Sequence, residues 1–327
     1  AAHHGAAAAT VSLPHNTKQV QLLSAPNLRL GIASAVGVFV IWSSFLVISR
    51  LGMTSVLTAY DVTALRFIVA GVLVLPFAWQ WWPRHLSPLA LIVMSLCGPG
   101  VLYSIIMYSG LSNAPVAYAG VFANGSLPLF SALLMFAFRA TRPTRNQLLG
   151  FPIILAGSVM LSIQGLRAGG EHVLSGMALF LLASAILSIY LFGVRHWRLT
   201  PRQALALVTV PNALIYLPVW ALFLPSHLAQ AQTLDIVIQA AFQGLGPGFL
   251  AVLLFATASI HLGSTATAGF AASVPAGAVI LAMPVLGEYP SGLEWVGVVI
   301  VSLGLALSLT PSASRHPAAA KPEPKSG

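Results

Sequence analysis

Apolar stretches long enough to cross a membrane follow one another from Leu28 to Leu309 with only short linkers between them, which leaves the chain few folds to choose from. A helix needs about 20 apolar residues to span a hydrocarbon core of roughly 30 Å. Ten such stretches fit, near 28–49, 59–80, 86–110, 114–138, 146–165, 174–194, 203–224, 236–260, 263–286 and 290–310. Only 6% of the residues are charged, against roughly a quarter in a soluble domain, so no water-facing shell can be assembled. The expectation is an all-α polytopic membrane protein with ten transmembrane helices. Its linkers, among them Trp82-Pro83-Arg84-His85, Arg142-Pro143-Thr144-Arg145 and Gly169-Gly170-Glu171, are short enough to make successive helices antiparallel neighbours.

In such a chain the net charge of +9 is read by position relative to the membrane. A cytoplasmic N-terminus puts Lys18, Arg29, Arg84 and most of the other basic residues inside. Only Arg50 and Arg167 then fall outside, and Arg66 lies within a span. The positive-inside rule therefore places both termini in the cytoplasm. No basic face remains for nucleic acid. Trp79, Trp81, Trp82, Trp197, Trp220 and Trp295 fall near span ends, as an aromatic belt requires, and Trp42 lies deeper. The single cysteine, Cys97, excludes an intrachain disulfide and reads as a small buried apolar residue. Residues 1–27 have no apolar core and read as a cytoplasmic tail rather than a cleavable signal. Residues 311–327 read as a disordered cytoplasmic tail.

The chain also repeats itself at an offset of about 145 to 148 residues. Arg50 falls on Arg195, Gly98-Pro99-Gly100 on Gly246-Pro247-Gly248, Pro128 on Pro275, Gly150 on Gly297 and Gly157 on Gly304. The repeats are expected at 28–165 and 174–310. Five helices is an odd number, so the second unit enters the membrane from the opposite side, giving two inverted five-helix repeats. Secondary transporters are built this way, with the substrate site near the midplane between the halves.

The paired Gly-Pro-Gly motifs are the strongest local signal. Proline removes one amide donor and releases the carbonyl four residues earlier, here those of Ser95 and Gln243. Half-helix amides beyond each break would favour a carboxylate and the released carbonyls an ammonium. The alternative is an ordinary kink patched by neighbouring helices. Helical spacing puts Ser95, Pro99, Tyr103 and Met107 on one stripe and Gln243, Pro247, Ala251 and Phe255 on another. Asn124 precedes Pro128 by four residues, and Ser273 precedes Pro275 by two. Asn124 and Gln243 read as the only side-chain amides well inside the membrane, each suited to a substrate contact or a helix-to-helix bond. Trp42, Tyr103, Tyr108 and Phe122 are candidates for an aromatic cavity wall or for ordinary core.

Arg66 is the one ionisable residue well within a span, about 9 Å below the outer boundary counted from Tyr60. An unpaired arginine there costs about 2 to 3 kcal/mol. It reads as an outer gate or carboxylate anchor, or else as a structural clamp. Asp61, five residues away on another side of the helix, is a poor partner, which leaves Glu288 and Glu294. No Asp or Glu falls near the middle of a span, so a proton relay is not expected and the substrate should be neutral or zwitterionic. A cluster of His, Asp, Ser or Cys at one depth, as membrane-embedded catalysis requires, is missing, and neither an enzyme nor a metal or cofactor is expected. Gly150 with Gly157, and Gly297 with Gly304, are each seven apart and read as close helix packing.

With these residues in place, the span from Leu28 to Thr310 resembles the drug/metabolite transporter superfamily, EamA type. The likeness is carried by Trp42-Ser43-Ser44-Phe45, by Ala64-Leu65-Arg66-Phe67-Ile68-Val69-Ala70 and by Gly287-Glu288. The position matching Glu288 in the first half is Thr141, which departs from the pattern. Within the superfamily the chain is most similar to YddG-type bacterial exporters of aromatic and other large neutral amino acids. The resemblance implies an inner-membrane protein moving a zwitterionic small molecule through a central cavity, with lipid as its other partner. A broad exporter of neutral apolar compounds is the alternative. The sequence sets no oligomeric state.

Overall fold

The structure, a computed structural model, describes residues 27–138 and 143–310. The linker residues Arg139, Thr141 and Arg142, the N-terminal segment before Asn27 and the tail after Thr310 lie outside the described residues. Side-chain oxygens start most of the helices. Asn27 accepts from the amide of Leu30 at 3.2 Å, and Thr58, Thr144, Thr200 and Ser291 close capping boxes with Asp61, Gln147, Gln203 and Glu294.

The long helices are α1 (Leu28–Thr54), α2 (Ala59–Trp81), α3 (Pro88–Asn113), α4 (Val116–Ala137), α5 (Arg145–Arg167), α6 (Glu171–His196), α7 (Pro201–Phe223) and α10 (Gly292–Leu309). All eight are long and apolar enough to cross a membrane. Two further segments are assembled from shorter helices. In α8 (residues 233–262) a π turn at Gly246–Leu250 joins Thr233–Leu245 to Ala251–Leu262. In α9 (residues 264–286) Ser264–Ala272 meets Val274–Leu286 at Ser273. No strand occurs among the described residues. Val72, Leu222 and Phe223 are at least 70% exposed, an outer surface suited to hydrocarbon and not to water.

Helical conformation extends through the short connection between α5, which ends at Arg167, and α6, which begins at Glu171. The chain nonetheless turns back. A Cβ on Gly165 would lie 3.0 Å from Val173 Cγ1 and 3.2 Å from Met177 Cε, whereas a straight helix would separate residues 165 and 177 by about 18 Å.

The glycine pairs spaced seven apart meet as the spacing predicts. A Cβ on Gly150 would lie 2.7 Å from the Gly304 carbonyl, and one on Gly157 2.8 Å from that of Gly297, so α5 and α10 touch backbone to backbone. The other contacts come in reciprocal pairs. Helix α1 packs on α8 and α9, and α6 packs on α3 through Phe180 against Gly110 and on α4. Two hydrogen bonds recur at the repeat offset. Ser43 Oγ donates to the Val274 carbonyl at 3.4 Å, and Ser188 Oγ to the Leu127 carbonyl at 3.4 Å. Each caps the residue that precedes one of the paired prolines, Pro275 and Pro128.

Candidate functional site

At Pro99 the helix is broken in fact. Gly98 and Gly100 are extended, with ψ of −177° and −158°. The released Ser95 carbonyl accepts from Asn212 Nδ2 at 3.0 Å, and the Val101 amide beyond the break donates to Asn212 Oδ1 at 3.3 Å. One amide side chain from α7 thus takes both groups that the sequence had suggested for a zwitterion. Asn212 Nδ2 also bonds the Val208 carbonyl at 2.7 Å. The count of two intramembrane amides was too low, since Asn212 and Gln239 are 9% and 1% exposed.

At Pro247 the chain stays helical by widening into the π turn, a form common at functional sites. The Gln243 side chain faces inward and forms the middle of a hydrogen-bond chain. Tyr108 Oη donates to Gln243 Oε1 at 3.1 Å, Gln243 Nε2 donates to Ser49 Oγ at 2.9 Å and to Gln239 Oε1 at 3.2 Å, and Gln239 Nε2 donates to the Ile48 carbonyl at 2.6 Å. Gly52 makes room for this, because a Cβ there would sit 2.8 Å from Gln239 Nε2. The chain ties α1, α3 and α8 together in a buried polar centre.

Arg66 is buried on α2, one turn before Val69, which packs against Gly244 beside that centre, and α2 also packs on the half of α3 that carries Tyr103 and Tyr108. The buried Ser104 Oγ, on the same turn of α3, has no hydrogen-bond partner. None of the acids considered for Arg66 pairs with it. Asp61 accepts from the Thr58 and His227 amides at 3.0 Å each and from Trp220 Nε1 at 3.2 Å. Glu294 accepts from Tyr118 Oη at 2.7 Å and the Ser291 amide at 2.7 Å. Glu288 pairs with Arg50 Nε at 2.7 Å and takes the Val116 amide at 2.8 Å, while Arg50 also donates to the Leu111 carbonyl. These bonds tie one end of the molecule together, joining α1, the α3–α4 turn and the end of α9. Asp61 joins α2 to the α7–α8 connection at that same end.

The expected aromatic wall is only partly assembled. Tyr103, Tyr108 and Phe122 belong to one buried cluster, while Trp42 stands apart, stacked on Phe255 at 5.6 Å. Asn124, in the π turn Gly120–Gly125 of α4, is partly exposed, and Ser273 is exposed and bonds the Gly269 carbonyl at 3.0 Å. A cavity of about 190 Å³ lies at the bonded end, lined by Pro115, Ala117, Val279, Ala282, Glu288 and Glu294 among others. A shallow apolar groove runs between α1 and α8. Neither is lined by any of the four aromatic residues. Sequence reasoning missed Asn212, Gln239 and Ser49; a polar side chain within an apolar span was the available signal for each.

A bundle of apolar helices with interrupted segments, a buried polar centre and one end bonded across its halves has the build of a polytopic membrane transporter. The comparisons agree, for the EamA-like transporter family is matched twice, over residues 29–163 and 174–310, and the chain belongs to that family. A search of curated proteins returns no match. Among solved structures, one crystal structure of a protein aligns with a TM-score of 0.57 at 20% identity, covering 86% of this chain and 98% of its own, which is a likeness of fold alone.

Proposed function

We propose that this transporter exports aromatic and other large neutral amino acids across a bacterial inner membrane, by alternating access between two inverted five-helix repeats of ten crossing segments. Both termini face the cytoplasm, and the Glu288 end faces outward. The observation that carries the reading is the bonding of one end across the halves, where Glu288 pairs with Arg50 of α1 and takes the Val116 amide of α4, together with a buried polar centre joining α1, α3 and α8. Within that centre no carboxylate stands at mid-depth to draw a cationic drug, and a lone guanidinium is too little charge for a phosphorylated solute. The remaining groups are neutral amides, phenols and aromatic rings, which suit a zwitterion with a large apolar side chain.

Counterflow of labelled phenylalanine in proteoliposomes, with no pH gradient, tests the substrate. Exchange should be competed by free aromatic amino acids, and far less by their esters or N-acetyl forms. Equal competition by blocked and free forms would favour a broad exporter of neutral apolar compounds. One observation points that way, since Asn212 already occupies the Ser95 carbonyl and the Val101 amide.

The bonded end has its own test. In a Cys97→Ser background, Ala117→Cys reports access to the outer cavity through a membrane-impermeant thiol reagent. Adding Glu288→Gln removes the charge that holds Arg50, and labelling should rise several-fold. Unchanged labelling would mean that the ion pair does not hold that end shut.

A further inference from the structure

Arg66 is 7% exposed in a helix that crosses the membrane, and among the described residues no carboxylate stands within 4 Å of it, since Arg50 with Glu288 is the one salt bridge among them. Asp61, Glu288 and Glu294 are engaged elsewhere. A buried charge that meets no counter-charge is costly, and such residues in membrane proteins mark ligand or ion pathways. The helix that carries Arg66 packs on the half of α3 that holds groups able to donate to an anion without cancelling the charge: the buried phenol of Tyr103 and the unpartnered hydroxyl of Ser104, whereas Tyr108 Oη already donates to Gln243.

We infer that Arg66 is the receptor for the carboxylate of the transported molecule. The inference rests on the export reading and names the group by which the substrate is held. A guanidinium presents paired donors that match a carboxylate, and one such cation balances a monoanion but not a dianion or a phosphate. Neither cavity described above is lined by Arg66, and on this account the carboxylate reaches it as the helices part. Tyr108, one turn beyond Ser104, is bonded to Gln243, which links this part of α3 to the residues just before the π turn of α8. On this account Arg66 sets specificity for one carboxylate, while the apolar cluster around Tyr103 and Phe122 accepts the side chain.

The test uses the purified full chain and two probes alike in shape, 3-phenylpropionate and 3-phenylpropanamide. Wild type should gain several degrees of thermal stability from the carboxylate and almost none from the amide. Arg66→Gln should lose that difference, and its KM for phenylalanine in counterflow should rise at least tenfold. Arg66→Lys should recover part of both. With no ligand, Arg66→Gln should melt at or above the wild-type temperature, because it loses an uncompensated charge, whereas a structural clamp would melt lower. If Arg66→Gln does not fold, Ser104→Ala, which removes an unpartnered hydroxyl, should still raise KM several-fold without loss of stability. Equal stabilisation of wild type by carboxylate and amide, or unchanged discrimination in Arg66→Gln, overturns the inference. Phenylalanine exchange that persists with Arg66 irrelevant would leave the export reading standing alone. Carboxylate binding through Arg66 without amino-acid exchange would leave the anion site standing and remove the proposed substrate.

Discussion

Gly98-Pro99-Gly100 and Gly246-Pro247-Gly248 are the same three residues in corresponding helices, yet the chain behaves differently at each. In α3 the backbone opens into extended conformation and Asn212 of α7 bonds the exposed groups on both sides. In α8 the helix widens into a π turn and continues, and no side chain among the described residues bridges it. A proline removes the same donor in both places. What differs is the neighbour. Helix α7 lies so close to the first break that a Cβ on Gly98 would meet Val208 Cγ2 at 2.5 Å, whereas at Gly246 the nearest atom, on Phe242, is 3.6 Å away. The interruption is written locally, and the packed helix decides whether it becomes a patched structural joint or a pliable turn.

The largest effect should follow from removing the patch. Asn212→Ala strands the Ser95 carbonyl and the Val101 amide inside a membrane-spanning helix, at about 1 to 3 kcal/mol for each group left unpaired. The melting temperature in detergent should fall by many degrees, and folded yield with it. Gln243→Leu also breaks a network, but it leaves side-chain hydroxyls that can turn to other partners, so its loss of stability should be the smaller. A larger loss at Gln243 would reverse the comparison.

A smaller contrast separates the first glycines of the two motifs. Gly98→Ala drives a methyl into Val208, with the Met94 carbonyl at 3.0 Å behind it, and overpacking of this kind costs about 1 to 3 kcal/mol. Gly246→Ala meets nothing closer than 3.6 Å. It gains up to about 1 kcal/mol of helix propensity, so it should be neutral or mildly stabilising. Thermal melts of the two variants side by side check this, and equal losses would show that α7 is not packed against α3 as described.

How much of this could be read from the sequence follows from how local each cause is. The spans α1 to α7 and α10 were legible because apolar length is itself the physical requirement. That α5 and α10 each pack closely on a neighbour was legible because glycines seven apart share a helix face; that they pack on each other emerged only in the structure. The capping roles of Asp61 and Glu294 were written in Thr58 and Ser291 three residues earlier, a pattern that accounts for acids first considered as partners for Arg66. Asn212 was not legible, because it acts on a carbonyl 117 positions away. Nor was the pairing of Arg50 with Glu288, which spans 238 positions. Proline alone could not tell a π turn from a break, since both begin with the same missing donor. The candidate site was thus visible as a set of unusual residues, while its connections depended on which helices met.

The smallest effect on stability should come from the prolines, and it should separate stability from transport. Pro247→Ala restores an amide to α8 and lets the π turn relax toward an ordinary helix. One backbone hydrogen bond is worth about 1 kcal/mol, so the melt should move little or rise. The register of α8 beyond the turn would change, however, and with it the link between the turn and the chain from Gln243 to Tyr108. Transport should fall several-fold with expression unchanged. Pro99→Ala should do less in both respects, because extended Gly98 and Gly100 and the two bonds to Asn212 hold the break open without the proline. Counterflow rates and melts measured on the same preparations decide it. If Pro99→Ala slows transport as much as Pro247→Ala, the break in α3 moves during the cycle and Asn212 does not fix it. If neither variant slows transport, the π turn takes no part in transport and the functional weight of the molecule shifts to Arg66 and the bonded end.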